Sequence, residues 1–308
     1  MSDRWRLGFL LALLAMLSWA TLPLALTLAL AAVDPWTLTW FRFLVATVCI
    51  GLWLRSRRML VWPGRGGSSG RGLLAVAAIG LTANYMLYIV GLDLTTPAIT
   101  QVLTQVAPML LGLGAIWFFG ERYSARQWAG FALLVSGLVI FSRDQLVAFA
   151  EQATQLWRGG LLVLLGAVVW AIYALAQKQL LQHYSSMSIM WFIYSFATIV
   201  LLPAIAPAQL WALSPIAWAL VGYCALNTLV AYGAFAESLN HWEASRVSAV
   251  LALTPLGTVA FVWLVDRVYP GVLPTERLNL VSVTAAALVV VGSVATSLSG
   301  QKTVKARS

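Results

Sequence analysis

Ten apolar runs, each about the length of a bilayer crossing, leave this sequence few ways to fold. They fall at 7–31, 35–54, 72–91, 95–119, 124–142, 158–182, 186–204, 213–237, 243–265 and 278–298, separated by charged or turn-forming residues. None alternates apolar and polar residues with the period of a strand, which excludes an outer-membrane β-barrel. Charged residues make up 9% of the chain and hydrophobic ones 61%, whereas soluble domains carry roughly 25% charge. The expected class is an all-α integral membrane protein. The runs and their loops occupy nearly all of the 308 residues, and no G-x-x-x-x-G-K-[ST] stretch is present, which argues against an ATP-driven pump. The first run follows Arg4 and Arg6 as a secretory signal would. At about 25 residues it exceeds the roughly 7–15 of a signal core and reads as a span.

The formal charge of +9 is explained by where the basic residues lie rather than by nucleic acid. With a cytoplasmic N-terminus, 14 of the 19 Lys and Arg fall in inside segments and 4 in outside ones, leaving Arg42 within a span. By the positive-inside rule both termini are expected in the cytoplasm. Pro63 to Gly72 reads as a flexible inside loop. Arg143 to Arg158, with Leu146, Phe149 and Leu156 on one side, reads as an amphipathic piece on the outer surface. Cys49 and Cys224 each sit inside an apolar run, without metal spacing or a disulfide framework.

A constant offset of 147 pairs Tyr85 with Tyr232, Tyr88 with Phe235, Leu92 with Leu239, Leu103 with Val250 and Pro108 with Pro255. Trp19-Ala20 matches Trp170-Ala171 more loosely, and Gly137 answers Gly292. The expected organisation is therefore two five-helix repeats, residues 1–150 and 151–308. Five is odd, so the second copy enters the membrane from the opposite side, as in secondary transporters whose site lies between halves near the midplane.

Polar side chains inside the runs are the candidates for that site. In the fourth run Thr100, Gln101, Thr104, Gln105 and Pro108 share one helical face, and Ser245, Ser248 and Pro255 form a comparable face in the ninth. Such a face turns away from lipid, either to line a cavity or to bond a neighbouring helix. Mid-span Pro108 and Pro255 serve as hinges or as plain packing kinks, with the carbonyls near Thr104 and Leu251 freed toward a solute. Trp19 and Trp170 lie too deep to be interface anchors, so they are cavity wall or buried packing. Tyr173 and Gln177 share the face of Trp170, while Asn84 with Tyr88 and Tyr223 with Asn227 are four apart. An aromatic wall with a few amides and hydroxyls suits a zwitterionic or amphipathic solute.

The ten acids and both histidines fall at run ends or in loops. No mid-span carboxylate is available to carry a proton or bind a cationic drug, and the groups needed by an intramembrane protease or a haem are missing. Neither an enzyme activity, a cofactor nor a metal is expected. Arg42 stands about two turns into the second run, where a charge costs roughly 2.5–3.5 kcal/mol. It either bonds helix carbonyls or meets the solute.

Trp40-Phe41-Arg42-Phe43 in the second run, Phe119-Gly120-Glu121-Arg122 closing the fourth, and the stretch from Pro108 to Gly130 and Gly137 resemble the drug/metabolite transporter superfamily, EamA-type. The resemblance covers nearly the whole chain. It departs in the second half, where Asp266-Arg267 replaces the usual Gly-Glu-Arg and Val268 to Thr275 adds a turn. Within the superfamily the chain is most similar to the bacterial aromatic amino acid exporters. That likeness implies export of aromatic and other neutral amino acids across the bacterial inner membrane by alternating access, and the working unit is expected to be a monomer. The expected lining is Trp19, Asn84, Tyr88, Thr100, Gln101, Thr104, Trp170, Tyr173, Asn227 and Ser248, with Pro108 and Pro255 as hinges. Rival readings are export of nucleosides or drugs, or a membrane protein that transports nothing.

Overall fold

Helix boundaries fall where side chains satisfy the backbone groups that a helix end leaves unpaired. Asp34 Oδ1 accepts from the N–H groups of Trp36 at 2.9 Å and Thr37 at 3.1 Å, and Pro35 takes the first helical position. Ser185 and Ser214 cap Ser188 and Ala217 in the same way. Gly120 ends a helix in the left-handed conformation, φ 63°, that a side chain would resist.

The computed structural model describes residues 4–59, 67–95, 97–141, 143, 147, 154–268 and 280–298. In chain order its α-helices are α1 Trp5–Leu30, α2 Pro35–Ser56, α3 Gly67–Asp93, α4 Pro97–Leu103, α5 Val106–Phe119, α6 Ala125–Phe141 and α7 Thr154–Leu180. There follow α8 Ser186–Leu201, α9 Ala208–Trp211, α10 Pro215–His241, α11 Ala244–Leu251, α12 Thr254–Val268 and α13 Leu280–Leu298. No strand occurs among the described residues.

Among the described residues eight segments are long and apolar enough to cross a membrane, and two further apolar helices, Ala125–Phe141 and Thr284–Thr296, are shorter. Eight of the ten expected runs thus appear at spanning length, and the fifth and tenth are represented by those two shorter helices. The expected loop from Pro63 to Gly72 is already helical from Gly67 onward. Most of the expected surface piece between Arg143 and Arg158, the extra turn Val268 to Thr275 and the basic tail lie outside the described residues.

The fourth and ninth runs are each two helices. The chain breaks at Thr104-Gln105 between α4 and α5, and at Ala252-Leu253 between α11 and α12. Proline lacks an N–H and its ring clashes with the carbonyl four residues back. Four before Pro108 is Thr104 and four before Pro255 is Leu251, so each break opens where that clash falls.

In the bundle α3 runs along α7, α1 along α10, α2 along α8 and α6 along α13. The α6–α13 approach depends on glycine: a Cβ on Gly137 would lie 2.8 Å from Val289 N, and one on Gly292 would lie 2.6 Å from Gly130 O. The main core gathers Phe43, Leu81, Tyr173, Tyr194 and Phe235. Outward-facing Leu10, Leu52, Trp117, Ile199 and Trp211 give the bundle an apolar exterior suited to lipid.

Candidate functional site

The break between α4 and α5 places short polar side chains against a group of rings contributed by α1, α3, α7 and α10. Trp19 is the hub. Its indole meets Trp170 at 5.8 Å, Tyr232 at 5.1 Å and Phe235 at 5.6 Å between ring centroids, the first two edge to face. Trp170 meets Phe235 at 5.0 Å, and Tyr85 meets both Phe43 at 4.5 Å and Tyr232 at 5.3 Å.

Beside this group is a cavity of about 100 Å³. Its aromatic wall is Trp19, Tyr85, Tyr88, Trp170 and Tyr232; its polar wall is Arg42, Asn84, Gln101, Thr104, Gln105 and Thr254. Pockets for drug-sized ligands run from roughly 300 Å³ upward, so this space as it stands is small for a solute of many atoms.

Much of the polar wall is oriented by bonds within the bundle. Asn84 Nδ2 donates to Gly166 O at 3.0 Å, and its Oδ1 accepts from Tyr232 O–H at 3.4 Å. Gln105 Nε2 donates to Gln101 O at 3.2 Å, which fixes the amide's orientation and leaves the buried Oε1 without a partner among the described residues. Thr104 Oγ1 donates to Thr100 O at 2.7 Å. The carbonyls expected to be freed are occupied: Thr104 O accepts from Ala107 N at 2.9 Å, and Leu251 O from Thr254 Oγ1. Arg42 donates from Nε to Thr228 Oγ1 at 2.9 Å and lies over the Tyr85 ring at 4.7 Å. The helix carbonyls expected for it are not its partners among the described residues.

The structure brings Trp19, Asn84, Tyr88, Gln101, Thr104, Trp170 and Pro108 into the cavity wall. It leaves Thr100, Tyr173, Asn227, Ser248 and Pro255 outside that wall. Thr100 Oγ1 bonds Thr95 Oγ1 at 2.8 Å, Ser248 Oγ donates to Ser245 O at 2.7 Å, and Asn227 Nδ2 donates to Ser18 O at 2.7 Å. Tyr173 is fully buried, its O–H directed at Met190 Sδ.

Sequence reasoning passed over Tyr85, Tyr232 and Thr254 as lining. For the two tyrosines a signal was present in the offset of 147: equivalent positions of two related halves meet where the halves meet. Their rings do touch, as do those of Trp19 and Trp170.

At the end of the bundle that holds Trp5, a second arrangement crosses from one half of the chain to the other. Glu121 accepts from the N–H groups of Ala244 at 3.1 Å and Ser245 at 3.2 Å, the first residues of α11. A carboxylate there supplies the capping that Glu243, whose side chain makes no cap hydrogen bond and pairs instead with Arg246, does not. Nearby, burial pushes the Tyr123 phenol up to about 12, which keeps it protonated. Phe9 packs edge to face on Trp242 at 5.8 Å in the same region.

The sequence profile of the EamA-like transporter family matches residues 6–143 and again 157–298. The chain belongs to this family. This EamA-like transporter is 35% identical to the "Uncharacterized inner membrane transporter YhbE" of Escherichia coli (strain K12), over 95% of this chain and 92% of that one. It is 31% identical to an "Uncharacterized transporter" of Haemophilus influenzae, over 95% of each chain. A "Probable terminal-alkyne amino-acid exporter" of Streptantibioticus cattleyicolor shares 30% identity over 61% of this chain and 63% of its own. A solved crystal structure with 20% identity superposes with a TM-score of 0.71, covering 94% of this chain and 96% of that one, a likeness of fold. The EamA-like chain is thus a multi-pass membrane transporter.

Proposed function

We propose that this EamA-like transporter exports amino acids, aromatic and other neutral ones, from the cytoplasm across the bacterial inner membrane. The observation that carries this reading is the central cavity, with rings on one wall and amides and hydroxyls on the other. The rings take an apolar or aromatic side chain, and the polar wall takes the amino and carboxyl groups. A relative whose name includes amino-acid export supports the same class of solute.

In this reading the chain has ten spans in two inverted five-helix repeats, 1–150 and 151–308, with both termini cytoplasmic and the monomer as the working unit. Two matches of one family profile, the paired contacts of α3 with α7 and α1 with α10, and the two broken helices ahead of Pro108 and Pro255 support it. The halves rock about the breaks to open the cavity to each side in turn. The test is counterflow of labelled phenylalanine and threonine into proteoliposomes, with uridine as the other-class control and Trp170→Ala and Gln101→Ala alongside. Export of amino acids predicts uptake of both above that of protein-free vesicles, lowered in both variants. Uptake of uridine alone would assign the cavity to a different class of metabolite.

A further inference from the structure

Arg42 is the charged side chain of the cavity wall, and it is 2% exposed. Its surroundings compensate it only in part. Nε donates to Thr228 Oγ1, whose own proton is directed at Cys224 O, 2.9 Å away, so the hydroxyl presents a lone pair to the guanidinium. The Tyr85 ring, held between Phe43 and Tyr232, lies against the cation. Among the described residues no carboxylate pairs with Arg42, and its terminal N–H groups have no protein acceptor. Elsewhere in the bundle such groups are served within the protein: Arg246 pairs with Glu243 at 2.9 Å, and Lys178 Nζ donates to Leu239 O and Trp242 O. A guanidinium left unpaired in a low-dielectric site is costly unless a counter-charge arrives.

Taking the amino acid reading of the cavity as its premise, we propose that Arg42 binds the carboxylate of the transported solute. The planar fork of arginine accepts a carboxylate edge-on through two parallel bonds. Thr228 and Tyr85 hold the guanidinium by one nitrogen and one face and leave that fork for the ligand. The solute must then carry a free carboxylate. Its amide or ester leaves the buried charge unmatched, and a neutral nucleoside offers no equivalent group.

The test is binding to the full-length protein in nanodiscs, followed by calorimetry, with phenylalanine compared with phenylalaninamide and 3-phenylpropionate with its amide. A charge-assisted pair predicts that each acid binds roughly tenfold to a hundredfold more tightly than its amide. Arg42→Gln abolishes the preference, and Arg42→Lys restores part of it. A purely structural Arg42 would instead weaken acid and amide alike, or only lower the melting temperature. Wild-type protein that binds neither acid better than its amide overturns the proposal without any variant having to fold, and so does a folded Arg42→Gln that keeps the preference. If phenylalanine fails but 3-phenylpropionate is preferred over its amide, the amino acid reading falls and the carboxylate anchor stands.

Discussion

Replacing Glu121 by Gln should open the Trp5 end of the bundle. The carboxylate joins two halves of the chain through the N–H groups of Ala244 and Ser245, at 3.1 and 3.2 Å. Glutamine retains one oxygen but sets an NH₂ group against the second N–H and removes the charge from the start of α11. Charge-assisted bonds contribute about 1.5–3 kcal/mol each when buried, and a charge at a helix N-terminus about 0.3–1 kcal/mol when exposed. Glu121 is only half-buried, so solvent screening lowers the total to about 1–2 kcal/mol. That corresponds to roughly a fivefold to thirtyfold shift toward the conformation open at this end. The assay is the rate at which a membrane-impermeant maleimide reaches a cysteine placed in the cavity by Ala107→Cys, in inverted vesicles and with Cys49 and Cys224 replaced. Glu121→Gln should raise that rate by the same factor. An unchanged rate, with protein stability also unchanged, would refute the idea that this contact holds the end closed.

Trp19→Ala removes three ring contacts at 5.1–5.8 Å and should raise the KM for phenylalanine about tenfold or more, and that for threonine less, in proteoliposome uptake. Gly137→Leu drives a side chain into the backbone of α13 and should cost about 1–3 kcal/mol, read as a lower melting temperature. Gly72→Ala, whose Cβ meets nothing within 4 Å, should leave the melting temperature unchanged or slightly raised. Asp34→Ala strips the cap from α2 and should destabilise the protein by about 1 kcal/mol in thermal unfolding.

The helical framework was legible because apolar run length acts locally. Asp34, Ser185, Ser214 and Gly120 mark ends that the structure places beside them. The mid-span prolines were legible as points of disruption. That each divides its run into two helices, with the opening at the clashing carbonyl of Thr104 or Leu251, requires the three-dimensional path of the chain. The candidate lining was harder to read, because a hydroxyl in a span has a local alternative. Ser248 spends its proton on the carbonyl three residues back and Thr104 on the one four back. Only the latter still lines the cavity, and helical periodicity carries no information that separates them. Arg42 was conspicuous by its charge, but whether its partners were carbonyls, a hydroxyl or a ring depends on α3 and α10, far from it in sequence.

The transport cycle proposed above requires the two halves to have opposed orientations, and that requirement is open to direct measurement. Single cysteines introduced by Arg6→Cys and Arg158→Cys, both at exposed positions, should be labelled by an impermeant reagent from opposite faces, the first only in inverted vesicles and the second only in intact spheroplasts. Labelling of both from one face would place the starts of the two halves on the same side of the bilayer and contradict an inverted repeat.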